Sequence, residues 1–170
     1  TVSDPRYLAE FIREDELKAF FEKRFEVPPD YLGLLMRNGQ FVQAYKGAHF
    51  TVGGIFQQVK GLIGGSTSIS LMIADLKAFQ AFYKVVARTK DKVDIDGEVV
   101  LDLQVNPEKP QNILGMMQGR KSLSKDDAAA WIKPHMWERV FEAATARLNA
   151  NEVRGNKGFQ DLIQADVMKE

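Results

Sequence analysis

The chain has 170 residues, and 23 Lys and Arg balance 23 Asp and Glu, so the formal net charge is zero. A neutral chain lacks the basic footprint of a dedicated nucleic-acid-binding protein, and no apolar run approaches the ~20 residues that a membrane-spanning helix needs. The absence of cysteine excludes disulfides, thiolate nucleophiles and cysteine-based zinc sites. This length predicts one domain or a two-lobed unit. Because the chain starts without Met and stops within a predicted helix, we expect sequence to be missing at one or both ends.

Residues 1–30 are predicted to form an N-terminal amphipathic helical segment. Ser3, Asp4 and Pro5 are typical of a helix start, since a capping side chain precedes proline in the first turn. Pro28 and Pro29 are expected to end the segment. The apolar residues between these limits recur at helical spacing and are Tyr7, Leu8, Phe11, Ile12, Leu17, Phe20 and Phe21.

Residues of about 31–106 are predicted to form an antiparallel β-meander or curved sheet. The compact apolar run Tyr31–Met36 is followed by Asn38-Gly39, the strongest short hairpin signal. Further strands are predicted near 41–45, 50–52, 66–73 and 79–89. Over 93–105 apolar and polar residues alternate, which indicates a half-buried strand. Its acidic residues are expected in solvent and its apolar residues in the core: Asp94, Asp96, Glu98 and Asp102 against Val99, Leu101 and Leu103.

Residues 53–65 are predicted to form a short apolar helix between glycine-rich hinges. The segment carries a single charge, Lys60. Two roles remain open, because such a helix can plug the end of a sheet or dip into a lipid headgroup layer. The possible membrane-contact residues are Ile55, Phe56, Leu62 and Ile63.

Residues of about 108–168 are predicted to be helical. Pro110 can open a helix, and Ser124 followed by Asp127 forms a weak capping box. Pro134 predicts a break near Lys133. The last helix is expected to bury Phe159, Leu162, Ile163 and Val167. Strands followed by helices indicate the α+β class.

No pattern in the sequence predicts a catalytic, cofactor-binding or metal-binding residue. His49 and His135 lack convergent ligand partners at helical spacing. The serines around Ser66–Ser70 lack a Gly-x-Ser-x-Gly elbow, and Gly61–Gly65 lacks the Lys-Ser/Thr ending of a phosphate loop. The carboxylates of 94–102 lie along a straight strand, whereas a calcium loop wraps its oxygens around a glycine turn. We therefore expect a protein that is not an enzyme and needs no cofactor.

The stretch Val85–Pro107 resembles the centre of the stomatin/prohibitin/flotillin (SPFH) domain. It shows a strand, a Thr89-Lys90-Asp91 turn, a long alternating strand and then Asn106-Pro107, similar to the Asp-Pro pair of that family. The turns within 31–52 are similar to the opening meander of the family, and the predicted helices of 124–148 and 151–167 to its helical half. The resemblance covers roughly 31–168.

Two features depart from the family, since residues 5–25 are amphipathic where members usually carry a hydrophobic hairpin or membrane helix, and the 53–65 helix looks like an addition. The resemblance implies a non-enzymatic scaffold that self-associates in the full-length chain and recruits protein partners. It implies a cytoplasmic location, at or near a membrane surface. The alternatives are a peripheral membrane-binding module acting through 53–65 and, more remotely, an enzyme with an unrecognised site. A fragment without sustained heptads is expected to associate weakly at most.

Overall fold

The computed structural model describes residues 4–18, 24–47, 49–51, 68–134, 138–154 and 161. It confirms a mixed α+β architecture with antiparallel sheets. The chain divides into two compact units, of which the first comprises Thr1–Phe79 and Gln104–Lys125 and the second Gln80–Leu103 and Asp126–Glu170.

The described residues form nine strands and five helices. Those in the first part of the chain are β1 (Tyr7–Ile12), α1 (Glu14–Lys18), β2 (Arg24–Glu26), β3 (Tyr31–Arg37), β4 (Gln40–Lys46), β5 (His49–Thr51) and β6 (Ile69–Asp75). Those that follow are β7 (Phe79–Arg88), β8 (Asp94–Leu103), α2 (Gln111–Met117), β9 (Ser122–Ser124), α3 (Lys125–Ile132), α4 (Glu138–Thr145) and α5 (Ala150–Val153).

The main sheet has five strands in the order β4-β3-β6-β1-β9. Its central strands β3 and β6 are antiparallel, and Leu34 pairs with Met72. Both of these side chains are fully buried. Side chains of β3 and β6 that point to the opposite face of the sheet are buried as well, so both faces of these strands are covered. The cluster that packs with α1 consists of Ile12, Leu17, Val27, Leu35, Ile69, Leu71 and Ile73.

The prediction of a helical segment over residues 1–30 is wrong at Tyr7–Ile12, which form β1, and at Arg24–Glu26, which form β2. Strand β1 pairs antiparallel with β6, where Ala9 faces Ala74, and with β9, where Ala9 faces Leu123. Leu8 and Ala9 are both buried although they point to opposite faces. In an interior strand, apolar residues occupy both parities, and their spacings can match those of an amphipathic helix. The pairing of β1 with strands far away in sequence decides between strand and helix. The helix in this region is the short α1.

Two glycines have distinct structural roles in the main sheet. Gly39 has φ +77° beside Asn38 with φ +48°, which confirms the predicted tight hairpin between β3 and β4. Gly33 is needed for close approach, because a Cβ atom there would lie 3.0 Å from Val27 Cγ2.

The second unit contains a two-stranded sheet of β7 and β8. One face is apolar, with Ala81, Tyr83, Val85 and Ala87 buried alternately along β7. Helix α4 contributes Phe141 and Ala144 to the same cluster. The predicted alternation in β8 is confirmed, since its acidic residues are exposed and its apolar ones pack partly buried onto this cluster: Ile95, Val99, Leu101 and Leu103.

The prediction of helix over about 108–168 is wrong at Ser122–Ser124, which form β9 and pair with β1. The described helices agree with two predictions at prolines. Pro110 is the N-cap of α2, which buries Ile113 and Met117. Helix α3 ends at Ile132, and Lys133 and Pro134 continue it with π-helical geometry, so the helix is distorted where the proline predicted. Helix α4 begins at Glu138. The predicted 53–65 helix lies outside the described residues, as does most of the predicted last helix. Within the described part of the chain, no helix combines the length and apolar character needed to cross a membrane.

Candidate protein-binding face

The predicted membrane-contact residues Ile55, Phe56, Leu62 and Ile63 lie outside the described residues. Membrane contact therefore stays a prediction. Liposome co-sedimentation tests it, because Phe56→Asp should abolish any binding that depends on an apolar helix entering the headgroup layer. Binding that survives in a folded variant would contradict it.

Of the other residues considered for chemistry, the structure describes only some, and it brings none of those described into a site. His49 is in β5 and pairs with Glu26 of β2 in a two-stranded ladder. His135 and Ser66 fall outside the described residues. Among the residues that the structure does describe, no three His, Asp or Glu side chains form a group able to hold a metal ion.

A largely buried charged pair joins Asp75 at the end of β6 to Lys125 at the start of α3. Lys125 Nζ lies 3.0 Å from Asp75 Oδ2, and Asp75 is only 5% exposed. The Lys77 amide donates to the other carboxylate oxygen over 2.9 Å. Lys125 Nζ also lies 5.9 Å from the centroid of the Phe79 ring, within cation–π range. Both carboxylate oxygens are engaged, so we interpret this pair as structural.

A shallow polar cleft of about 410 Å³ lies at one end of the main sheet. Arg13, Arg120 and Lys121 contribute cations to its wall, and Asp15 contributes a carboxylate. Lys121 Nζ is 2.8 Å from Glu16 Oε1, and this contact raises the pKa of the lysine and lowers that of the glutamate. Carboxylates thus offset much of the positive charge, and the cleft carries no functional assignment.

The most unusual surface is the solvent-facing side of the β7–β8 sheet, which we call the outer face. It presents large apolar side chains to solvent, with Phe82 and Val86 each 65% exposed and Val100 50% exposed. Large apolar side chains exposed on one strand surface are typical of interaction sites, although Lys84 separates Phe82 from Val86 along β7. The outer face consists of Gln80, Phe82, Lys84, Val86 and Arg88 on β7 and Asp94, Asp96, Glu98, Val100 and Asp102 on β8.

The strand register arranges this face in rows. Arg88 Nε bonds to Asp94 Oδ1 across the hairpin over 2.7 Å, which lowers the pKa of the aspartate. A Cβ atom on Gly97 would lie 3.4 Å from Val85, so these two positions are also opposite each other. The same register puts Lys84 opposite Glu98 and Phe82 opposite Val100. The outer face therefore has a basic row on β7, an acidic row on β8 and apolar residues within both.

The hairpin that carries the outer face is anchored at its tip. Thr89 is buried, and its hydroxyl donates to Asp91 and accepts from the Val93 amide over 3.1 Å. The Ala150 amide donates to Asp91 Oδ1 over 3.1 Å, and the Lys90 amide donates to the Leu148 carbonyl over 2.9 Å. The Thr89 hydroxyl lowers the pKa of Asp91. These bonds join the hairpin tip to Leu148, which follows α4, and to Ala150 at the start of α5.

Sequence reasoning identified the acidic row but missed Phe82 and Val86. The available signal was that residues 81–87 are apolar on both parities, interrupted only by Lys84. A strand with apolar residues on both faces needs two covering layers, and here one layer is supplied by α4.

Comparison with known proteins adds no family assignment. No protein-family model matches the chain, and no curated protein matches it either. The function is therefore inferred from the geometry of the outer face and from the sequence resemblance.

Proposed function

We propose that this chain is a non-enzymatic, SPFH-like scaffold domain that self-associates through the outer face of β7–β8. This contact would gather copies of the protein and recruit partner proteins at a membrane surface, as the family resemblance implies. The observation that carries the proposal is the exposure of Phe82, Val86 and Val100 on one strand surface. Apolar groups held in solvent by a folded sheet lose that contact with water when a second protein covers them.

The size of the face predicts a weak contact. Strand β8 has ten residues, and at about 3.3 Å per residue and about 4.8 Å between strands the face is roughly 33 Å by 10 Å, or about 330 Å². A stable interface buries about 800 Å² on each partner. Association through this face alone is therefore weak, and many copies held together in one assembly would raise it through effective concentration.

Sedimentation velocity over a range of protein concentrations tests the proposal. The unmodified chain should show weak, reversible, concentration-dependent association. Val86→Asp should abolish it, because a charge in the apolar part of the face must be desolvated on contact. Val42→Asp is the matched control, since Val42 is a 45% exposed valine on a different strand, β4.

Two results would overturn the proposal. One is a chain that stays monomeric at millimolar concentration. The other is a folded Val86→Asp variant, verified by circular dichroism, that associates as strongly as the Val42→Asp control.

A further inference from the structure

We infer that the second copy binds face to face with its strands parallel, related by a two-fold axis that runs along β7 and β8. This inference rests on the proposed function and adds the arrangement of the two copies. It comes from the distribution of charge on the outer face. The basic row contains Lys84 and Arg88, whereas the acidic row contains Asp94, Asp96, Glu98 and Asp102.

A closed dimer places the same patch of both copies in contact, and the two limiting directions for its axis in the plane of the contact are along the strands and across them. An axis along the strands sets β7 of each copy over β8 of the other. Lys84 then lies over Glu98 of the second copy, and Phe82 lies over Val100. Each basic row then meets an acidic row, and Phe82 meets Val100, whereas Val86 lies over Asp96.

An axis across the strands gives the opposite result. It sets β7 over β7 and β8 over β8, so four carboxylates face four carboxylates. Like charges brought together at an interface are strongly unfavourable. Pairing at the strand edges, the remaining possibility for a two-stranded sheet, would leave Phe82 and Val86 uncovered. The charge rows thus select the axis along the strands.

The arrangement also leaves an acidic excess. Each basic row offers two cations to the four carboxylates of the other copy. By the hairpin register, Asp96 and Asp102 lie across from Val86 and Gln80, so in the dimer they face no cation. Asp102→Asn is therefore expected to strengthen association, which neither a neutral nor a purely apolar contact predicts.

Charge reversal tests the rows. Lys84→Glu and Glu98→Lys should each weaken self-association by about tenfold or more, because each sets like charges over one another. An equimolar mixture of these two variants should associate at least as well as the unmodified chain, since every contact in the mixed dimer is then between opposite charges. If neither variant weakens association, the rows do not face each other and the inference is wrong.

Cross-linking tests the axis directly, because the chain contains no cysteine. A short bifunctional thiol reagent should join Gln80→Cys to itself, because an axis along the strands keeps the same end of β7 together in both copies. An axis across the middle of the strands brings opposite ends of β7 together, so efficient joining of Gln80→Cys to Arg88→Cys, with little joining of Gln80→Cys to itself, would overturn the axis along the strands. If sedimentation still shows association that Val86→Asp abolishes, the proposed function stands and only the arrangement fails.

Discussion

The ion pair between Asp75 and Lys125 allows the packing of the main sheet to be tested quantitatively. Lys125→Met keeps the length of the side chain and removes its charge. The Asp75 side chain is 6% exposed and would keep only the hydrogen bond from the Lys77 amide. A buried carboxylate that loses its cation costs about 3–5 kcal/mol of folding free energy. Because domains of this kind are stable by about 5–15 kcal/mol, the variant should be severely destabilised.

Removing the charge of Asp75 instead should cost less folding free energy. The Lys125 side chain is 21% exposed, so after Asp75→Asn its amine can turn toward water on a flexible stem. We expect a loss of about 1–2 kcal/mol, and the double variant should be more stable than Lys125→Met alone. Urea unfolding with an unchanged m-value measures all three. A loss below about 1 kcal/mol for Lys125→Met, or a double variant no more stable than it, would refute the assignment of Asp75 as a charge that depends on its partner.

Three further outcomes are expected from unfolding measurements. Gly33→Ala should lower the free energy of unfolding by about 1–3 kcal/mol through overpacking. Gly115 in α2 has open space around it, so Gly115→Ala should raise the free energy of unfolding by about 0.5–1 kcal/mol. Equal effects would contradict the close packing at Gly33. Leu101→Ala, at a half-buried position, should lower the free energy of unfolding by about 2 kcal/mol. Asp102→Ala should lower it by less than about 0.5 kcal/mol. Equal losses would contradict the assignment of the two β8 faces. The folded state lowers the pKa of Asp91, so this carboxylate stabilises the fold above its unfolded pKa, and the stabilisation is lost as pH falls through the folded pKa. Asp91→Asn should therefore flatten the acid limb of a plot of unfolding free energy against pH. An unchanged limb would contradict the hydrogen bonds at the hairpin tip.

Local patterns predicted the parts of the fold that local chemistry determines. The Asn38-Gly39 turn, the strand after Thr89 and the helix after Pro110 follow from backbone preferences and from alternation over a few residues. β1 was missed because its pairing with β6 and β9 involves residues far away in sequence. The same reason explains Phe82, whose exposure depends on which face of β7 the distant helix α4 covers. Composition cannot distinguish those two faces.

The position of β1 between β6 and β9 has a consequence for folding during synthesis. Ala9 pairs with Ala74, 65 positions later, and with Leu123, 114 positions later. Synthesis proceeds at about 5–20 residues per second, so the first strand emerges seconds before either neighbour and waits with both edges unpaired. Contacts this distant in sequence slow folding, and unpaired edges invite pairing with other nascent chains. A chaperone that shields residues 7–12 until residue 124 has left the ribosome would therefore raise the yield of native protein more than one acting on the completed chain.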